Sequence, residues 1–412
     1  FLTEICRMKY TPGERNKKKE YIILLVLGTL IALGPFSIDS YLPGFKNIAD
    51  DFNITVARVG LTLTSYFIGI SLGQMAYGPI MDKFGRKRPL QIGLIIYILA
   101  AVACYFSSNL IFLIIARFFL ALGASAGMVA SKAIVRDIFP IEEVAGAISI
   151  LMLIMGGAPI IAPTIGGFII QSYGWPIVFL FMGTFALLML ISVSTFLPES
   201  ITPDAKVQLT PKSVLKNYYG ILVHPKFMNF AFAGSFAIGA MFAYISSAPK
   251  LFMNIFDLSQ SEFGILFGIN AGGLILGSQI NRFVLKKFNI LQITLVNSII
   301  LVILSLLFLI AGMFQPNFYI IVTLIFIILF LLGFQNPNTT ALSLTPFTKR
   351  AGRASALIGS MKMILGALAS FVVSLFHSDS IIPLAIILLV SLIISSLLLI
   401  QYAAKNKKQQ EV

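Results

Sequence analysis

The chain has 412 residues, of which 58% are hydrophobic and only 11% charged; soluble domains carry about a quarter of their residues charged, so a water-soluble surface is excluded. A bilayer requires every backbone polar group to be satisfied internally, which leaves helices of about 20 apolar residues or a closed barrel, and the long apolar runs 21–33 and 290–310 lack a barrel's alternation. The formal charge of +14 would raise the question of nucleic acid in a soluble protein, but here it is gathered in one set of loops, so no nucleic-acid partner is expected.

Hydrophobic stretches punctuated by Gly, Pro, Asn and charge predict spans at 21–43, 57–80, 89–106, 110–137, 144–170 and 175–197. Six more follow at 227–249, 261–284, 290–312, 316–340, 352–376 and 380–403. A basic tail (1–20) precedes the first set, a polar linker (198–226) separates the two, and a tail (404–412) ends the chain. The first stretch is too long for a signal-peptide core and reads as a retained helix. The expected fold class is an all-α integral membrane protein with twelve transmembrane helices in two six-helix lobes, 21–197 and 227–403. Gly69, Leu72, Gly73, Lys83 and Phe84 recur at a constant offset as Gly273, Leu276, Gly277, Lys287 and Phe288. Ala145, Gly146, Ser149 and Met155 likewise match Ala351, Gly352, Ser355 and Met361. Both matches favour two parallel repeats, with the expected binding site at their interface near the bilayer midplane.

Of the 30 Lys and Arg, only Lys46, Arg58 and Lys250 fall in the loops on one side, and Arg117, Lys132 and Lys362 fall within spans. All others lie on the opposite side, an asymmetry that places both termini in the cytoplasm. Cys6 in the tail and Cys104 in the third span cannot meet, and His224 and His377 have no companion ligands. Neither a disulfide nor a metal site is expected, and no cofactor.

Span one ends in Pro35-Phe-Ser-Ile-Asp39-Ser-Tyr41-Leu-Pro43. The loop after span two reads Gly78-Pro-Ile-Met-Asp82-Lys-Phe-Gly85-Arg86-Lys-Arg; Gly78 and Gly85 permit a tight turn, and Asp82 can accept from Arg86. Span four carries Arg117-Phe-Phe-Leu-Ala-Leu-Gly123, and an arginine inside a span is costly unless paired or wetted. Span five carries Gly156-Gly157-Ala-Pro159-Ile-Ile-Ala-Pro163-Thr-Ile-Gly166-Gly167, with small residues every four positions for close helix contact and prolines that bend the helix.

The 78–88 loop resembles the loop motif G-x-x-x-D-R-x-G-R-[RK] of the major facilitator superfamily, with Lys83 in place of the usual Arg. Span four resembles that superfamily's R-x-x-Q-G-x-G, with Leu120 and Ala121 replacing Gln and Gly. Span five is similar to the antiporter motif of drug/proton exchangers in the A-P-x-x-A-P-x-x-G-G form of the Bcr/CflA (bicyclomycin/chloramphenicol resistance) subfamily. That subfamily also has an acidic residue before Y-L-P, matched by Asp39. Fainter echoes are Val135-Arg136-Asp137, Leu197-Pro198-Glu199 and Met241-Phe-Ala-Tyr244-Ile.

The resemblance implies a transporter, not an enzyme, that alternates between inward-open and outward-open states. No G-x-x-x-x-G-K-[ST] loop is present to hydrolyse ATP, so an ion gradient must drive it. The implied activity is proton-coupled efflux of drugs or other amphipathic small molecules by a monomeric multi-pass protein of a bacterial inner membrane. Uptake of a small metabolite with protons is the alternative, since fold dictates neither direction nor substrate. Asp39 and Arg117, at similar depth, are the expected proton-coupling pair, and a conformational change altering their separation would alter proton affinity. A structural Asp39 capping the helix end is the other reading. Gly78, Asp82, Gly85 and Arg86 would form the switch loop, and Gly157, Pro159, Pro163, Gly166 and Gly167 the antiporter hinge. Tyr41, Tyr244, Asn270 and Lys362 are candidates for the substrate cavity, although aromatics at such positions also serve bundle packing.

Overall fold

The computed structural model describes residues 17–203, 218–314, 317–347, 351–376 and 380–410. Among them, twelve helices are long and apolar enough to cross a membrane. We number these α1 (Lys17–Asp39), α2 (Leu61–Phe84), α3 (Lys87–Tyr105), α4 (Leu110–Ile138), α5 (Ile141–Tyr173) and α6 (Pro176–Phe196). The second six are α7 (Pro225–Pro249), α8 (Gln260–Val284), α9 (Ile290–Met313), α10 (Phe318–Leu344), α11 (Ala351–Ser374) and α12 (Ile382–Gln410). A helical turn at Leu42–Gly44, a short helix Phe45–Asp51 and a single turn Val56–Val59 connect α1 to α2. The chain after α7 continues as a π-helical segment, Lys250–Ile255.

Local sequence sets the helix starts. Asn109, Asn289 and Asn317 accept backbone amides at the first turns of α4, α9 and α10, and Ser259 with Glu262 forms a reciprocal capping box on α8. Pro176 and Pro225 begin α6 and α7, where no N–H is needed. Large apolar side chains such as Leu99, Ile111, Leu153 and Ile303 stand exposed on helix flanks, the inverse of a water-facing surface and suited to lipid.

The chain divides into two compact units, Phe1–Tyr41 with Ser65–Lys216 and Leu42–Thr64 with Asn217–Val412. Within the first, α1 packs on α4, α5 and α6, and α3 on α4 and α6. Within the second, α7 packs on α10, α11 and α12, and α9 on α10 and α12. The neighbour pattern is therefore the same when six is added to each helix number. The repeated glycines serve that pattern. A Cβ at Gly69 would stand 2.5 Å from the Phe118 carbonyl and one at Gly73 1.9 Å from Ser125 Oγ, both on α4. A Cβ at Gly277 would stand 1.9 Å from the Phe330 carbonyl on α10, so in each unit small residues let two backbones meet.

The segment 42–64, inside the stretch read from sequence as the first lobe, packs with the second unit: Gln260 Nε2 donates to Asn47 Oδ1 at 2.5 Å, and Thr64 Oγ1 to Ser370 Oγ at 3.3 Å.

Candidate functional site

Arg117, two turns into α4, is fully buried. Its guanidinium lies 4.3 Å from the Tyr66 ring centroid and 4.5 Å from that of Tyr41, with Phe179 at 5.9 Å. Nη1 donates to the Ser37 carbonyl at 2.9 Å. That carbonyl belongs to the last turn of α1, where helix carbonyls lack internal partners and the dipole favours a cation. Surrounding hydroxyls fix the frame: Tyr66 donates to the Gly34 carbonyl at 3.0 Å, and Tyr97 Oη lies 2.6 Å from Ser37 Oγ, which donates to the Leu33 carbonyl. The two ring faces contribute up to about 2 kcal/mol in a desolvated setting. Nε and Nη2 have no hydrogen-bond partner, at a cost of about 1–3 kcal/mol for each buried donor.

Asp39 ends α1 and is 4% exposed. Among the described residues no hydrogen bond or ion pair reaches its carboxyl. The expected pair is thus not closed in this state: Arg117 holds a main-chain carbonyl two residues before Asp39, and two of its donors stay open. Tyr41 belongs to the cage around Arg117.

The α5 motif meets this neighbourhood. α5 runs unbroken through Pro159 and Pro163, and its buried face includes Ala158, Ala162, Pro163, Gly166 and Gly167. A Cβ at Gly166 would stand 1.9 Å from the Ser40 carbonyl, so this glycine brings α5 against the residue that follows Asp39. Gly157 differs, with nothing within 4 Å of a Cβ there.

At the 78–88 loop, Gly85 adopts φ +88°, a conformation that favours glycine. Gly78 does not form a turn as the sequence suggests; it lies inside α2, because the helix continues to Phe84 past Pro79. Arg86 bridges two carboxylates, Nη1 to Asp82 Oδ1 at 2.6 Å and Nε to Asp137 Oδ2 at 3.0 Å. Burial acts to lower the Arg86 pKa, but the hydrogen bonds and charges of Asp137 and Asp82 outweigh it, and the net direction is upward. Glu199 caps α3, its two oxygens accepting from the amides of Arg86 at 2.7 Å and Lys87 at 3.1 Å. A Cβ at Gly85 would stand 2.6 Å from Glu199 Oε2. Ser200 Oγ adds a bond to Asp137 at 2.8 Å. Asp137, Glu199 and Ser200 had no assigned role from sequence; the signal was a carboxylate at the last position of span four and another just after span six.

In the second unit, Asn270 donates to Tyr244 Oη at 2.9 Å, Tyr244 stacks on Phe267, and Asn270 Oδ1 is buried without a partner. Lys362 Nζ donates to Asn336 Oδ1 and to Thr340 Oγ1, the latter at 2.6 Å. Sequence reading missed the polar run on α10. Asn338 and Asn281 exchange amide bonds at 2.8 and 3.1 Å, and Gln335 accepts from Asn297 at 2.8 Å. Such pairs satisfy polar groups where lipid cannot.

A sequence profile described as Major Facilitator Superfamily matches residues 25–370. The chain is 32% identical over 385 residues to the uncharacterized MFS-type transporter YdgK of Bacillus subtilis, covering 92% of this chain and 95% of that protein. It is 28% identical over 411 residues to the bicyclomycin resistance protein homolog of Haemophilus influenzae, covering 96% and 99%. The fold is shared with the xylose transporter XylE from E. coli, with a TM-score of 0.74 at 14% identity over 93% of this chain and 98% of that one. Profile, relatives and fold agree across nearly the whole length, and the chain belongs to the Major Facilitator Superfamily.

Proposed function

We propose that the protein exports drugs or other amphipathic small molecules in exchange for protons, by alternating access, in a bacterial inner membrane with both termini in the cytoplasm. Its similarity to a bicyclomycin resistance protein homolog and to the multidrug resistance protein MdtL of Salmonella paratyphi A, at 27% identity over 393 residues, supports export. The observation that carries proton coupling is the open geometry at Arg117: two buried guanidinium donors without acceptors, beside a helix end that carries the lone carboxyl of Asp39. A carboxylate would satisfy that fork with charge-assisted bonds, about twice as strong as neutral ones. A proton arriving on Asp39 removes this attraction, so proton binding and the closure of the pair exclude one another. Movement of α1 against α5, through the Gly166–Ser40 contact, links that exclusion to conformation. The Arg86 network supplies the second element, a charged latch at the 78–88 end of the first unit that forms and releases as the states interchange.

The test is Asp39→Asn in proteoliposomes. The variant is expected to lose substrate accumulation driven by ΔpH while retaining energy-independent exchange. A purified variant that still accumulates substrate against a gradient under ΔpH alone removes Asp39 from the coupling mechanism.

A further inference from the structure

The six helices of the second unit are nearly free of negative charge. Between Pro225 and Ala404 the spans contain a single carboxylate, Glu262. It sits in the first turn of α8, where Oε2 accepts from the Ser259 amide at 2.9 Å and from Ser259 Oγ at 2.7 Å. The same helices hold one cation in mid-span. Lys362 lies about 16 Å from the start of α11 at about 1.5 Å per residue. Its Nζ donates to two neutral oxygens, Asn336 Oδ1 and Thr340 Oγ1, one turn apart on α10. All three residues are half-buried rather than sealed.

We propose that Lys362, Asn336 and Thr340 form a recognition site for a carboxylate, and that the compounds carried are organic acids with an apolar body. This names the substrate class of the transporter proposed above and rests on that reading only in taking the ligand to be a transported solute. A carboxylate exchanges the neutral acceptors of the ammonium for a charged one. Once released, the Asn336 amide and the Thr340 hydroxyl turn their N–H and O–H toward the second oxygen, because both side chains donate as well as accept. Three donors then converge on one anion. A cationic drug meets the opposite situation in these spans, a like charge and the one capped carboxylate of Glu262. The mid-span depth separates the site from lipid phosphates, which lie at the interfaces.

The probes are three compounds that share a ring system: naphthaleneacetate, its methyl ester and naphthylmethylammonium. Equilibrium binding to the purified full chain in nanodiscs is measured for the parent, Lys362→Gln and Lys362→Arg. The parent is expected to bind the carboxylate at least about tenfold tighter than the ester or the ammonium. Lys362→Gln loses that preference with ester binding unchanged, and Lys362→Arg keeps most of it. Where Lys362→Gln does not fold, Thr340→Val is expected to weaken carboxylate binding about threefold and leave the ester unaffected. Equal affinity for the three probes, no binding of the carboxylate, or a preference that survives Lys362→Gln overturns the site. Because the readout is binding, carboxylate preference without proton-driven transport supports the site while removing the antiport reading.

Discussion

Arg117 illustrates how one residue can be stable and unfinished at once. The Tyr41 and Tyr66 ring faces and the Ser37 carbonyl hold the guanidinium in place, yet two of its three nitrogens, Nε and Nη2, are unused. Arg86 is the contrasting case, an arginine engaged by two carboxylates. Asp137 is the more buried of these at 16% side-chain exposure, against 48% for Asp82. Ion pairs at exposed positions contribute little because water screens them, so Asp137→Asn is expected to slow turnover more than Asp82→Asn, with substrate affinity retained in both. Equilibrium binding compared with transport rate checks this; a loss of binding in proportion to transport would show that the loop shapes the binding site. Gly85→Ala is expected to cost about 1–2 kcal/mol of thermal stability, since the backbone conformation and the Glu199 carboxylate both oppose a methyl group. Unchanged melting of the purified variant would contradict that.

At the scale of elements, α5 separates packing from motif. Gly166 and Gly157 belong to the same sequence pattern, but only Gly166 meets a neighbouring backbone. Gly166→Val is expected to destabilise the protein by about 1–3 kcal/mol through overpacking, and Gly157→Val to be tolerated. Melting of the two variants side by side checks the contrast, and equal effects would refute the α1–α5 contact as described. The spans were legible in sequence because twenty or so apolar residues are required wherever a helix meets lipid. The connection from α1 to α2 was not. The polar residues Asn47, Asp50 and Asp51 made the segment after residue 43 read as a loop, yet a separate short helix, Phe45–Asp51, forms there. Gly78 looked like a turn glycine because it precedes proline, but the neighbouring helical turns carry α2 through to Phe84. The α10 run Gln335-Asn336-Pro337-Asn338 was illegible for a related reason: an amide in a span becomes meaningful only once the facing helix is known, here Asn281 on α8 and Asn297 on α9.

On the scale of the whole molecule, the repeated neighbour pattern of α1–α6 and α7–α12 accounts for the internal sequence matches, since the same close approaches demand glycine twice. The asymmetry of basic residues bears on orientation. In a chain whose Cys6 and Cys104 are replaced, Ser108→Cys is expected to react with an impermeant maleimide in intact cells, while Lys287→Cys reacts only after permeabilisation. The reverse pattern would invert the proposed topology. The two units differ chemically despite their common plan: the first holds Asp39 near its buried Arg117, and the spans α7–α12 of the second hold a mid-span lysine and a single capped carboxylate. On the proposed reading, protons are handled in the first unit and the charged end of the substrate in the second.

Exchange of substrate against protons is measured most directly as the movement of protons on adding substrate to energised everted vesicles that contain the protein. Naphthaleneacetate and a panel of neutral and cationic amphiphiles serve as candidates. Antiport predicts that a transported compound dissipates the imposed ΔpH by releasing protons from the acidic interior, and that vesicles carrying Asp39→Asn show no such release. A compound that enters by carrying protons with it, or accumulates with no proton movement, would contradict the account.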